Sequence, residues 1–159
     1  MSTSYLGNCI CGQFKFRLNA EPITLVACHC TNCQRRSGGA LQLSLYVYRE
    51  ALEVIAGVAS PITTIAENGD AYRNLVCTTC QTRLWSESVK PAVHADLRPG
   101  TLERAGEFSP VAHVFTRSAL PWFVFPEGVA RYEAAPDDPY ELVRLWQESR
   151  ARANNQSTP

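Results

Sequence analysis

The chain has 159 residues, 45% of them hydrophobic, which suits one domain with one core. Its 15 basic and 15 acidic residues cancel to a formal net charge of zero, which excludes a strongly basic nucleic-acid-binding surface. No stretch is long and apolar enough to span a bilayer, and Met1 to Asn8 lack the basic and apolar runs of a signal peptide, so a cytoplasmic address without membrane contact is expected.

In chain order, the first signals are Cys9 and Cys11, followed by Gly12 and an alternating strand over 13–18. The run Cys28-His29-Cys30-Thr31-Asn32-Cys33 comes next, with a short helix starting near Thr31 or Asn32 and carrying Cys33 to Arg36. A second alternating strand covers 41–47, and shorter ones are expected at 52–55, 62–66, 72–76, 83–86, 93–96 and 111–116. Asn68-Gly69 predicts a tight hairpin turn leading into the strand before Cys77. Asp137 or Asp138 caps a C-terminal helix, Pro139 suits its first turn, and Leu142, Leu145 and Trp146 recur on its inner face. Trp85 and Trp146 read as core, and residues 154–159 as a frayed end. The expected fold is mainly β: antiparallel sheets with one C-terminal α-helix. Residues 1–135 are expected to form one domain, with residues 136–159 a helix and tail packed on it.

All seven cysteines fall into the three clusters Cys9/Cys11, Cys28/Cys30/Cys33 and Cys77/Cys80. A reducing compartment and an odd count both disfavour disulfides, and such tight spacings favour a metal, zinc above all. Residues i and i+2 of a strand face the same way, so Cys9 and Cys11 can reach one ion from an extended segment, with Gly12 letting the chain turn away. Cys77-Thr78-Thr79-Cys80 has zinc-knuckle spacing. The two pairs together make a closed tetrathiolate that ties the N-terminal strand to the middle of the chain. Cys28, Cys30 and Cys33 supply only three sulfurs. Water, a substrate thiolate or an imidazole would complete that set. An open, catalytic site is the preferred expectation, against a structural one completed by His94 or His113. His29, between two ligands of an extended segment, should point away from them.

The ordered segments Gly-Asn-Cys-Ile-Cys-Gly, Cys-His-Cys-Thr-Asn-Cys-Gln-Arg-Arg-Ser-Gly and Cys-Thr-Thr-Cys resemble the glutathione-dependent formaldehyde-activating enzyme family, also called the centromere protein V family. Leu97-Arg98-Pro99-Gly100-Thr101-Leu102, Ala112-His113-Val114-Phe115 and Leu120-Pro121-Trp122 extend the resemblance, which runs from residue 7 to about 132. It implies a zinc-bound β-tent fold with two zinc ions per chain. Cys9, Cys11, Cys77 and Cys80 would hold the structural ion; Cys28, Cys30 and Cys33 the catalytic one. Two positions depart from the family pattern. Gln81 stands where glycine usually follows the second Cys-x-x-C, so it must accept left-handed strain or a different turn, and Val76 replaces an aromatic residue.

The resemblance further implies glutathione and formaldehyde as substrates, joined as S-hydroxymethylglutathione, in a carbon–sulfur lyase that also runs in reverse. Three thiolates largely neutralise a zinc ion, so holding the incoming thiol as thiolate is preferred over polarising the aldehyde. Arg35 or Arg36 would hold a substrate carboxylate, His113 would donate to the developing alkoxide, and Trp122 would wall the pocket. A solvated surface role for Arg35 and Arg36, a satisfied strand histidine for His113 and core packing for Trp122 are equally expected. A non-enzymatic zinc scaffold or interaction module is the competing class. A methionine-sulfoxide reductase is disfavoured, because no cysteine is left over as a nucleophile.

Overall fold

The computed structural model describes residues 3–66, 69–138 and 140–156. In chain order its elements are β1 (Tyr5–Asn8), β2 (Lys15–Leu18), β3 (Thr24–Cys28), α1 (Thr31–Ser37), β4 (Gln42–Tyr48), β5 (Leu52–Ala56), β6 (Ala59–Ile65), β7 (Ala71–Cys77), β8 (Arg83–Ser88), β9 (His94–Leu97), β10 (Ala112–Val114), β11 (Ala130–Arg131) and α2 (Tyr140–Gln156). The architecture is mainly β with two α-helices among the described residues, one of them C-terminal. Among the described residues, no helix is long and apolar enough to cross a membrane. The chain divides into two compact units, residues 1–22 with 45–108 and residues 23–44 with 109–159.

The first unit holds an antiparallel sheet in the order β1-β2-β5 and an antiparallel run in which β4 pairs with β9, β9 with β8, β8 with β7 and β7 with β6. Alternation along β2 turns Phe16 and Leu18 inward. Phe14 and Phe16 pack on buried Trp85 at 5.9 and 5.8 Å between ring centroids. Gly7 lies opposite Phe16 in the β1–β2 register, and a Cβ there would meet the Phe16 ring at 2.3 Å. That close approach keeps a glycine in a strand that sequence reading passed over, since Gly and Asn are poor strand formers. The hairpin expected at Asn68-Gly69 forms between β6 and β7, with the Ala66 N–H donating to the Asp70 carbonyl at 2.8 Å. Asn68 itself lies outside the described residues.

The second unit is built on β3, whose five residues are all buried. β10 pairs with β3 and with β11, both in parallel. This corrects the expectation of purely antiparallel sheets. Strands so distant in sequence are joined by long crossovers, which permit parallel pairing where a hairpin would not. Strands β3 and β11 were not anticipated. A continuous apolar run lacks the alternation that marks a half-buried strand, and a two-residue strand carries no pattern at all. α2 lies on β3, with the Thr24 hydroxyl donating to the Leu142 carbonyl at 2.9 Å, and Trp146 is buried beneath Arg150. Asp138 caps α2, accepting from the Tyr140 N–H at 2.9 Å. Pro139 and residues 157–159 lie outside the described residues.

Candidate metal centres

The first unit brings Cys9, Cys11, Cys77 and Cys80 together, with their four sulfurs mutually within 4.8 Å. The route differs from the expected strand alternation. β1 ends at Asn8, and Cys9 to Gly12 form a tight turn closed by the Gly12 N–H on the Cys9 carbonyl at 3.0 Å, with Gly12 at φ +73°. The Cys9 and Cys11 sulfurs sit 3.3 Å apart, and Cys11 lies 3.9 Å from Cys77. A tetrahedral zinc with Zn–S bonds of about 2.3 Å spaces its sulfurs by about 3.8 Å, so this set fits such an ion. Cys77 and Cys80 lie at the β7–β8 connection, where the Gln81 N–H bonds the Cys77 carbonyl at 3.0 Å. Gln81 accepts the left-handed conformation, φ 60°, that glycine would adopt without strain.

Backbone amides and hydroxyls converge on these sulfurs. The Phe14 N–H donates to the Cys9 sulfur at 3.3 Å, and Thr82 Oγ1 shares a hydrogen bond of 3.0 Å with Cys80 while accepting from the Ile10 N–H at 3.1 Å. Sequence reading did not single out Thr82, and its spacing carries no signal. The Thr82 hydroxyl, with backbone amides, draws the Cys80 thiol down to about 5. Cys11 moves the other way, to about 12: the Gln13 amide pulls it down, but crowding by Cys9, burial, and the Cys80 and Cys77 sulfurs together outweigh it. Four sulfurs this close cannot all ionise without a cation between them.

The second unit brings together Cys28, Cys30 and Cys33, with no histidine in the set. Cys28 ends β3, and Cys30 is the N-cap of α1, its sulfur accepting from the Cys33 N–H at 3.3 Å. The short helix expected from sequence therefore forms with a candidate ligand as its cap. Gly38 ends it at φ 70°. Val26, Ala112 and Val114 pack with Cys28 and Cys33 into an apolar floor, joined by Phe115, Tyr132 and Leu142. Sharing of a hydrogen with Cys28, together with burial, raises the Cys33 thiol, while Arg36 opposes the rise. Burial raises Cys30 as well. Soft sulfurs on an apolar floor fit zinc, which displaces such protons on binding.

The remaining candidates separate. Arg35 and Arg36 occupy the last turn of α1, and Arg36 acts on Cys33 electrostatically. Trp122 is 69% exposed. His94, at the start of β9, packs with its ring tilted against Tyr48, 5.8 Å between centroids. His113 is buried and reaches His29: His29 Nε2 and His113 Nδ1 lie 2.8 Å apart. In the parallel register His113 sits opposite Ala27 and Val114 opposite Cys28, so His113 shares the face of Ala27 and His29, and Cys28 faces the other way. Burial lowers the pKa of both imidazoles, which makes them a neutral pair at neutral pH. Gln34, also unanticipated, donates from Nε2 to the His29 carbonyl at 2.8 Å and to the Ser118 carbonyl at 2.7 Å. Phe115 adopts φ 56°, a strained conformation for an aromatic residue, as the chain leaves β10.

Comparison with known sequences gives a match to the family model described as glutathione-dependent formaldehyde-activating enzyme, over residues 4–118. None of the curated proteins matches. Among solved structures, a crystal structure of a Rhodobacter sphaeroides protein aligns with a TM-score of 0.47 at 16% identity, covering 80% of this chain and 98% of that one.

Proposed function

The chain belongs to the glutathione-dependent formaldehyde-activating enzyme family, and from that premise we propose that it is a zinc-dependent carbon–sulfur lyase acting on a small-thiol adduct. The substrate pair is glutathione and formaldehyde or a close relative. The observation that carries the reading is the convergence of Cys28, Cys30 and Cys33 as three sulfurs without a histidine. Cys9, Cys11, Cys77 and Cys80 hold a structural zinc in a closed set, within a β-tent scaffold. The domain runs to about residue 135, with the C-terminal helix as its appendage, and a reducing cytoplasm keeps its thiols free.

At the triplet, Cys28, Cys30 and Cys33 would hold a zinc ion, which would supply a position where a substrate thiol is ionised at neutral pH. Addition then forms the S–C bond to the aldehyde carbon as the carbonyl π pair moves to oxygen, and the proton released from the thiol ends on that oxygen. The reverse step breaks the same bond. Arg35 or Arg36 holds a substrate carboxylate through paired N–H groups. Trp122, already exposed, offers an apolar surface for the substrate to cover. His113, expected to donate to the developing alkoxide, lies on the sheet face away from Cys28 and bonds His29, so no proton transfer is assigned to it here.

Cobalt in place of zinc reports the ligand set through its thiolate absorption bands. Glutathione should change the bands of the triplet by adding a fourth sulfur, and Trp122→Ala should weaken that change. If no small thiol alters the spectrum and two ions stay tightly bound, the protein is a non-enzymatic zinc module.

A further inference from the structure

We infer that His29, paired with His113, is a positioning residue that holds the Cys28–His29–Cys30 loop in its metal-binding shape. The inference rests on the proposal that the triplet binds metal, and it concerns a residue to which that proposal gives no role.

His29 is fully buried and lies between two of the three converging cysteines. It is held at three points. Its N–H donates to the Val114 carbonyl at 3.0 Å, its carbonyl accepts from Gln34 Nε2 at 2.8 Å, and its ring meets His113 at 2.8 Å between nitrogens. The first two contacts fix the peptide groups on either side of its Cα. The third fixes the rotation that sends Cys28 and Cys30 to the side opposite the imidazole. Phe123 and Phe125 close around both rings, at 4.7 and 5.2 Å from His29 and 5.7 and 5.2 Å from His113.

The outer nitrogens, His29 Nδ1 and His113 Nε2, are buried without partners. With His29 Nε2 and His113 Nδ1 only 2.8 Å apart, one inner nitrogen must donate and the other accept, so this bond gives the two rings a directional contact on that face of the sheet. Rings of similar volume without nitrogens would fill the same space but would not set an orientation. Groups that orient metal ligands in this way commonly change affinity by about 10- to 100-fold when removed.

The test measures metal affinity at each site by competition with a chromophoric chelator, for wild type, His29→Leu, His113→Leu and the double variant. The tetrathiolate set, built from other residues, serves as the internal control. Each single change should weaken the triplet by about 10- to 100-fold and leave the control unchanged. The double variant should lose no more than the worse single, because one bond is broken in all three. His29→Gln, which keeps a donor near the Nε2 position, should recover most of the loss. Single variants that hold the second ion as tightly as wild type, or losses that add in the double variant, overturn the inference while leaving the proposed function standing. A wild-type protein that takes up only one ion overturns both. Should the leucine variants fail to fold, nitrogen-15 NMR of wild-type protein decides the matter. Scalar coupling between His29 Nε2 and His113 Nδ1 is expected, and its absence in the metal-loaded protein overturns the pair.

Discussion

Replacing Gln81 by glycine should stabilise the protein, although it removes a side chain and adds no contact. Gln81 follows the last cysteine of the knuckle at φ 60°, and its side chain is exposed. An L-residue in the left-handed region costs about 1–2 kcal/mol. Glycine there escapes the clash but surrenders about 0.5–1 kcal/mol more backbone entropy on folding. The bond from Gln81 Nε2 to the Thr78 carbonyl, 3.3 Å long and exposed, is also lost, at a cost of about 0.5 kcal/mol at most. The balance is a gain of about 0.5 kcal/mol for Gln81→Gly. Gln81→Val puts a β-branched residue where the backbone excludes it most strongly and should cost about 1–2 kcal/mol. For a chain of this length 1 kcal/mol moves Tm by about 2–4 °C, so the two variants should melt about 3–10 °C apart, on either side of wild type. Thermal melts followed by circular dichroism on zinc-loaded protein would measure this. A valine variant that melts with wild type, or a glycine variant that melts well below it, would show that the turn carries no strain and refute the reasoning.

Cys77→Ser should unfold the domain or leave it insoluble, because binding energy at a closed tetrathiolate is folding energy; normal circular dichroism with unchanged metal content would sink that assignment. Cys30→Ser should lower metal content by one ion per chain with the fold retained, and a collapse as severe as that of Cys77→Ser would show that the triplet is structural. Tyr132 donates to Glu141 at 2.7 Å, and burial with that carboxylate pushes its pKa up to about 12. The neutral phenol is the form the fold prefers, so this stabilisation is complete below the ordinary tyrosine pKa near 10 and fades as pH rises towards about 12. Tyr132→Phe should lose about 0.5–1.5 kcal/mol at neutral pH and flatten that alkaline decline, as read by urea unfolding at stepped pH.

Much of the candidate metal chemistry was legible because it is local. Cysteines two or three residues apart can meet one ion through backbone geometry within a single turn, so the spacings of Cys9/Cys11, Cys28/Cys30/Cys33 and Cys77/Cys80 carry the message unaided. The same holds for α1, for the β6–β7 hairpin, and for the left-handed turn required after Cys80, which Gln81 adopts at φ 60°. Even here the turn at Cys9 to Gly12 replaced the strand read from alternation, since an i, i+2 spacing does not distinguish the two.

What tertiary structure alone decided is pairing over distance. β3 reads as an unpunctuated apolar run, and nothing local says that it pairs in parallel with a strand more than eighty residues later. That register sets His113 beside Ala27 and so beside His29, and it turns Cys28 to the other face. A histidine's neighbours across a sheet depend on strand order and register. These are fixed by the burial of whole faces rather than by any residue's own preferences. The sequence therefore determined which residues could hold metal, and the tertiary structure determined which side chains stand behind them.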